Sequence, residues 1–168
     1  SDDFIQEKLK QASKDGYVTV AFGLRLRTPL LSQVIYNTKH LPREAAAEGR
    51  TAGNALGQSY GLLNNRAAVA FMKKVWNSPY RTRIKPVCLI HDAIYLLVEK
   101  DPAVVAWANK HLVEEMSWQE LPELQHDVVK IGAELSMFYP SWADEIEIPV
   151  EASVEEISTI MLNLDKPK

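Results

Sequence analysis

Pro86-Val87-Cys88-Leu89-Ile90-His91-Asp92-Ala93-Ile94-Tyr95-Leu96-Leu97-Val98 is the stretch from which the fold is read. Two runs of large apolar residues, 87–90 and 94–98, flank the His91-Asp92 pair. Each run has the length and residue type of a buried strand. The short gap between them leaves a hairpin with His91 and Asp92 at its tip as the simplest geometry. Two-residue hairpin loops favour Asn-Gly or Asp-Gly, because the chain takes positive φ there. This tip has no glycine. An imidazole beside a carboxylate, where the backbone would prefer another residue, points to chemistry. A His-Asp pair is also common in ordinary loops. Asp92 alone is a thin metal ligand, since magnesium is usually held by one or two carboxylates together with substrate phosphates.

The chain of 168 residues is long enough for one domain with a core. Its hydrophobic content of 46% and charged content of 24% are those of a globular protein. The single cysteine, Cys88, excludes a disulfide framework and a Cys/His zinc pattern, and its apolar neighbours suggest a small core residue. No apolar run reaches the ~18 residues of a membrane span, and the first residues do not form a signal peptide. A cytoplasmic protein without a membrane partner is expected.

The net charge of −3 conceals an asymmetry. Residues 1–86 hold fourteen Lys/Arg against six Asp/Glu (+8), and residues 87–168 hold five against sixteen (−11). Such a split suggests a basic face for a polyanion, or two differently solvated surfaces.

Residues 2–15 read as an amphipathic helix, with Phe4, Ile5, Leu9 and Ala12 on one face and Gly16 as a stop. Residues 17–27 read as a second hairpin turning at Gly23, with Arg25 and Arg27 on one face of its return strand. Those arginines either discourage edge-to-edge pairing or contact phosphate. Residues 30–41 read as an irregular connection, and residues 43–75 as one long helical stretch. Arg50, Asn54 and Gln58, spaced by four, share a face of it among small residues. This polar column is either a seam between helices or a set of donors for minor-groove acceptors. In the same stretch Leu62, Val69, Ala70 and Phe71 look like core. Asp101-Pro102 opens a helix reaching Met116, with Asp101 as N-cap. His111 on it reads as packing or surface. Residues 127–134 alternate like a strand that should pair beside the central hairpin. Residues 145–168 are acidic, with one more helix near 155–164. The fold expected is α+β: a small antiparallel sheet, hairpin 87–98 plus strand 127–134, packed against helices.

Four groups of residues, in order, carry a resemblance. They are Gly16-Tyr17-Val18-Thr19 with Phe22-Gly23 and Arg25; Glu48, Arg50, Asn54 and Gln58; Ile90-His91-Asp92; and Val129-Lys130-Ile131-Gly132 with Trp142. Over residues 5–143 the chain resembles the C-terminal part of family A DNA polymerases, the bacterial DNA polymerase I and phage replicase group. The resemblance implies a partial polymerase palm with part of the fingers over residues 1–144, followed by an acidic extension, 145–168. It makes Asp92 one of two palm aspartates that bind a pair of catalytic magnesium ions. It places His91 against the primer strand near its 3′ end, and Arg50, Asn54 and Gln58 on a helix tracking the minor groove of primer–template DNA. Arg25 and Arg27 become phosphate contacts, and the incoming nucleotide a dNTP.

Three departures accompany the resemblance. Ala93 stands where the family usually has Glu, which removes an accessory carboxylate. Ser59-Tyr60-Gly61 replaces the Gly-x-Ala-Ala that tends to follow the glutamine. The first palm aspartate and the fingers helix that meets the nucleotide have no counterpart in residues 1–168, nor do exonuclease and thumb. The expectation is a polymerase fragment, inactive alone, completed by an N-terminal part in cis or as a separate chain. A non-catalytic DNA-binding module that kept the palm scaffold is the alternative, and an unrelated α+β protein the second.

Overall fold

The computed structural model describes residues 2–33 and 42–166. They fall into two compact units, Ser1–Leu62 and Leu63–Lys168. In the order of the chain the architecture is α+β, with three separate two-stranded antiparallel sheets and five α-helices among the described residues.

The first unit begins with α1, Asp2–Asp15. Asp2 and Asp3 in the first turn and Lys14 in the last complement the helix dipole. Gly16, at φ +78°, ends the helix by donating its N–H to the Ala12 carbonyl at 2.8 Å. Strands β1, Tyr17–Thr19, and β2, Arg25–Arg27, form the anticipated hairpin, with Tyr17 opposite Arg27 and Thr19 opposite Arg25. Helix α2, Arg43–Ser59, buries Ala45, Gly49, Ala52, Gly53 and Leu56. Leu9, Ala12, Val18 and Leu31 complete that core. The small residues permit a close approach: a Cβ on Gly53 would lie 3.2 Å from Ile5 Cγ2 of α1. Glu48 accepts a hydrogen bond from the Leu31 N–H at 2.7 Å, which anchors the connection leading into α2. Most of the irregular connection expected at 30–41 lies outside the described residues.

The second unit starts with α3, Leu62–Trp76. The long helical stretch is therefore two helices. It breaks at Tyr60-Gly61, where the Gly61 N–H turns back to the Gln58 carbonyl at 3.0 Å. A side chain on Gly61 would sit 3.1 Å from that same oxygen, so a residue without Cβ belongs there. Phe71, Met72 and Val75 of α3 enter the main core, whereas Val69 faces solvent.

Strands β3, Ile84–Ile90, and β4, Ala93–Val98, form the central hairpin. Helix α4, Pro102–Met116, starts as the sequence indicates: the Asp101 carboxylate accepts from the Ala103 N–H at 2.8 Å, with Pro102 in the first turn. Val104, Ala108 and Leu112 of α4 pack with Phe71, Val75 and Ile84, and Ile94, Leu96 and Val98 of β4 lie against them. Trp107 braces this core, 6.0 Å from the Phe71 ring and 5.5 Å from Tyr80. His111 stacks beside Trp107 at 4.4 Å, in a packing role.

Two strand expectations are corrected. Residues 127–134 are not a strand and do not pair with the central hairpin. Side chains satisfy this segment's backbone instead: Gln119 accepts from the Ile131 N–H at 2.7 Å and donates to the Val129 carbonyl at 3.2 Å. His126 Nδ1 accepts from the N–H groups of Val128 and Val129. The alternation that suggested a strand has no buried face, since Val129 is 66% exposed and Ile131 and Ala133 are only half-buried. The strand lies just beyond: β5, Leu135–Phe138, pairs with β6, Glu145–Ile148. The expected boundary after residue 144 falls inside this unit, between the paired strands β5 and β6. Helix α5, Val154–Leu162, is capped by Ser153 and buries Ile157 and Met161 against Val105 and Ile148. The acidic segment contributes to this unit's core.

The second correction concerns β3. Only Ile84 of this strand is buried; Lys85 through Ile90 are exposed, Cys88 included. A seven-residue strand of core composition here has one partner strand and no covering layer among the described residues.

Charge is partly consumed inside the second unit. Arg83 bridges Glu99 and Asp101 at 2.7 Å each, and Arg66 and Lys74 both hold Glu115, at 2.8 and 2.9 Å. The basic half of the sequence therefore presents fewer unpaired cations than its composition suggests. Burial works against the charge on Glu115, but hydrogen bonds from Lys74 and Arg66 outweigh it and hold its carboxyl below the usual range. A carboxyl lowered by folding contributes stability above its unfolded pKa of about 4.3, and that contribution is lost as pH falls through the folded value. Glu115→Gln is expected to cost about 1–3 kcal/mol at pH 7 in urea unfolding. The difference from wild type should shrink below pH 4, and a difference unchanged by pH would contradict the assignment.

Candidate active-site turn and nucleic-acid face

β3 and β4 pair in register from Ile84↔Val98 to Ile90↔Ala93, with an irregularity at Val87 between Pro86 and Cys88. His91 and Asp92 are the whole loop. His91 takes φ +53° and Asp92 does not take positive φ, the sign pattern of a II′ hairpin turn, which ordinarily places glycine first. Histidine enters the left-handed region more readily than most residues, yet such a conformation costs roughly 1–3 kcal/mol and persists where the surroundings impose it.

The surroundings do so from two sides. The β4 side chains Ile94, Leu96 and Val98 lie against the α3–α4 core, which fixes the strand leaving the turn. From the first turn of α3, Asn64 Nδ2 donates to the carbonyl of His91 at 3.3 Å and to that of Ala93 at 3.1 Å. The two accepted bonds straddle Asp92. Both His91 and Asp92 are exposed, and the Asp92 carboxylate has neither hydrogen bond nor ion pair to another described residue.

An exposed, unpaired carboxylate on a braced turn fits the role of one magnesium ligand. It does not make a complete site. No group of three or more His, Cys, Asp or Glu that could hold a metal ion occurs among the described residues. Behind the turn, Tyr95 of β4 packs against Trp142 at 5.4 Å, and Trp142 against Phe138 at 5.0 Å. These contacts tie the β5–β6 hairpin to the outer face of β4.

The other residues singled out in the sequence belong to the first unit. Arg50, Asn54 and Gln58 are all exposed on α2, opposite its buried face of Ala45, Gly49, Ala52, Gly53 and Leu56. Within that unit the column is a solvent-facing row, not a seam. Arg25 and Arg27 are exposed on β2, and the Arg25 guanidinium lies 4.3 Å over the Tyr17 ring. That cation–π contact restricts a long side chain.

Asn64 is the residue that sequence reasoning missed. Its signal was present: positions 64, 67, 71 and 75 form one helical stripe whose other members are apolar, so an amide among them asks for a buried partner. Asn109 is a second case, buried on the α4 stripe and donating to the carbonyls of Pro149 and Val150. No family model matches the chain, and no curated protein matches it. No helix among the described residues is long and apolar enough to cross a membrane.

Proposed function

We propose that this chain is the C-terminal portion of a DNA-directed DNA polymerase of the family A type, a Mg2+-dependent nucleotidyltransferase. The observation that carries the reading is the Asp92 turn: a carboxylate with no partner among the described residues, exposed at the end of a stiff apolar hairpin, next to a histidine in left-handed backbone. Ordinary hairpins relieve such a conformation with glycine. Here the strained residue, His91, immediately precedes the one that the resemblance assigns to metal binding, Asp92.

Asp92 would hold magnesium together with a second aspartate from outside residues 1–168. Magnesium held there would supply charge stabilisation for in-line attack of a 3′-hydroxyl on the α-phosphorus of a nucleoside triphosphate, with pyrophosphate as the leaving group. The chain's own residues bind and orient. His91 would touch the primer strand beside the reacting end. Arg50, Asn54 and Gln58, exposed and one turn apart, offer donors to the N3 and O2 acceptors that base pairs present in the minor groove, which gives grip without sequence choice. Arg25 and Arg27 would contact phosphate. The uncovered β3 strand supports a missing part of the enzyme, in cis or as a separate chain, because exposed strands of this composition are ordinarily paired or covered.

Ala93 and the single carboxylate favour a second reading, a DNA-binding module with the palm scaffold and no chemistry. Binding and synthesis separate the possibilities. The 168-residue chain should bind primer–template DNA with an affinity falling linearly on log–log axes as salt rises, and should extend no primer in Mg2+. Arg25→Ala with Arg27→Ala should reduce the magnitude of that slope by about 2. Absence of any salt-dependent DNA affinity overturns both readings and leaves an unrelated α+β protein. Primer extension by the chain alone overturns the divided metal site.

A further inference from the structure

The Asn64 side chain is 7% exposed, and its Oδ1 is buried without a hydrogen-bond partner. A buried acceptor left unpaired is costly, and an isosteric leucine would avoid that cost. The residue does something that leucine could not. Its Nδ2 spends both N–H groups on the carbonyls before and after Asp92, 27 and 29 residues away in sequence.

We propose that Asn64 is a positioning residue for the metal-binding carboxylate: by clamping the His91 and Ala93 carbonyls it imposes the left-handed His91 backbone and so sets the direction of Asp92. This inference rests on the metal-binding reading of Asp92. The clamp spans the turn at its two ends, and the carboxylate of the residue between them is left to solvent. Ala93 adds to the need for it, since no neighbouring carboxylate there can take over if Asp92 swings away. A helix of the main core thereby controls the direction of one exposed side chain. Because α3 also carries Phe71 and Val75, the clamp is anchored in the most buried part of the unit.

The test uses the whole 168-residue chain, labelled for NMR, with Mn2+ as a paramagnetic probe of a magnesium-type oxygen site. In the wild type, a high concentration of Mn2+ should broaden the amide signals of His91, Asp92 and Ala93 weakly, as a single carboxylate allows, and the Asn64 side-chain amide protons should exchange slowly. In Asn64→Leu the strand signals of 84–90 and 93–98 should persist, His91 should lose its left-handed carbon shifts, and equal broadening should need about fivefold more Mn2+. That factor corresponds to about 1 kcal/mol, the scale of one hydrogen bond. Asn64→Gln, which keeps the amide, should restore much of the response, whereas loss of general packing alone would not be rescued this way. Should Asn64→Leu fail to fold, Asn64→Ser, too short to reach both carbonyls, serves for the same titration. An unchanged Mn2+ titration in a folded variant overturns the proposal, as does rapid exchange of the Asn64 amide in the wild type. If Mn2+ leaves Asp92 sharp in the wild type while Asn64→Leu still shifts His91, the clamp is real but the metal reading has failed, and the positioning role goes with it.

Discussion

Replacing Asp92 by Ala, in the complete enzyme to which we assign this chain, is expected to lower primer extension about a thousandfold or more, about 4 kcal/mol in barrier height. Affinity for primer–template DNA should change little. The reasoning turns on what each group touches. Asp92 is exposed, bonded to no other described residue and therefore contributes little to folding. Its loss would remove the proposed metal ligand and leave the hairpin's pairing and the Asn64 clamp, which uses backbone carbonyls only. Arg50, Asn54 and Gln58, which we propose as donors to DNA, lie on α2, in the other compact unit. A rate defect with retained binding is the result that a metal ligand predicts. Extension near the wild-type rate would remove Asp92 from the site. A thousandfold loss accompanied by an equal loss of DNA affinity would instead reassign Asp92 to binding.

The second large effect concerns the support of that turn. Phe71→Ala should cost about 3–5 kcal/mol in chemical unfolding, the usual range for removing a fully buried aromatic ring. Phe71 is completely inaccessible to solvent and lies among Val75, Ile84, Val104 and Leu112. The ring also contacts Trp107, so tryptophan fluorescence reports the transition directly. Phe71→Leu, which retains most of the volume, should lose much less. A loss below about 1 kcal/mol for the alanine variant would mean that the core around the hairpin base collapses to fill the space. Because β4 packs on this core, Phe71→Ala should also loosen the His91-Asp92 turn, visible as broadened His91 signals.

Local signals were legible wherever one stretch of chain decides the outcome. Helix α4 shows this most directly: Asp101 as cap, Pro102 in the first turn and an apolar stripe all act within the helix itself. The same holds for α1 with Gly16, and for the β1–β2 and β3–β4 hairpins, whose partners are neighbours in sequence. The split at Tyr60-Gly61 was hidden because helical periodicity runs on through the break. The false strand at 127–134 had the alternation of β structure, but its hydrogen bonds go to the side chains of Gln119 and His126. Alternation describes a face and cannot say whether anything covers it.

Local patterns along the 168 residues were enough to give α+β structure, with His91 and Asp92 at the tip of an apolar hairpin and Arg50, Asn54 and Gln58 along one helix face. Those are consequences of periodicity, breakers and turn length, which act over a few residues. Tertiary contacts were needed to show that, among the described residues, nothing pairs with Asp92 or covers β3, and that Arg66, Lys74 and Arg83 are consumed in ion pairs. They alone revealed Asn64 reaching across 27 residues to hold the turn. Burial and pairing depend on which distant segments meet, and the free energy of those meetings is not written in any single window of the chain.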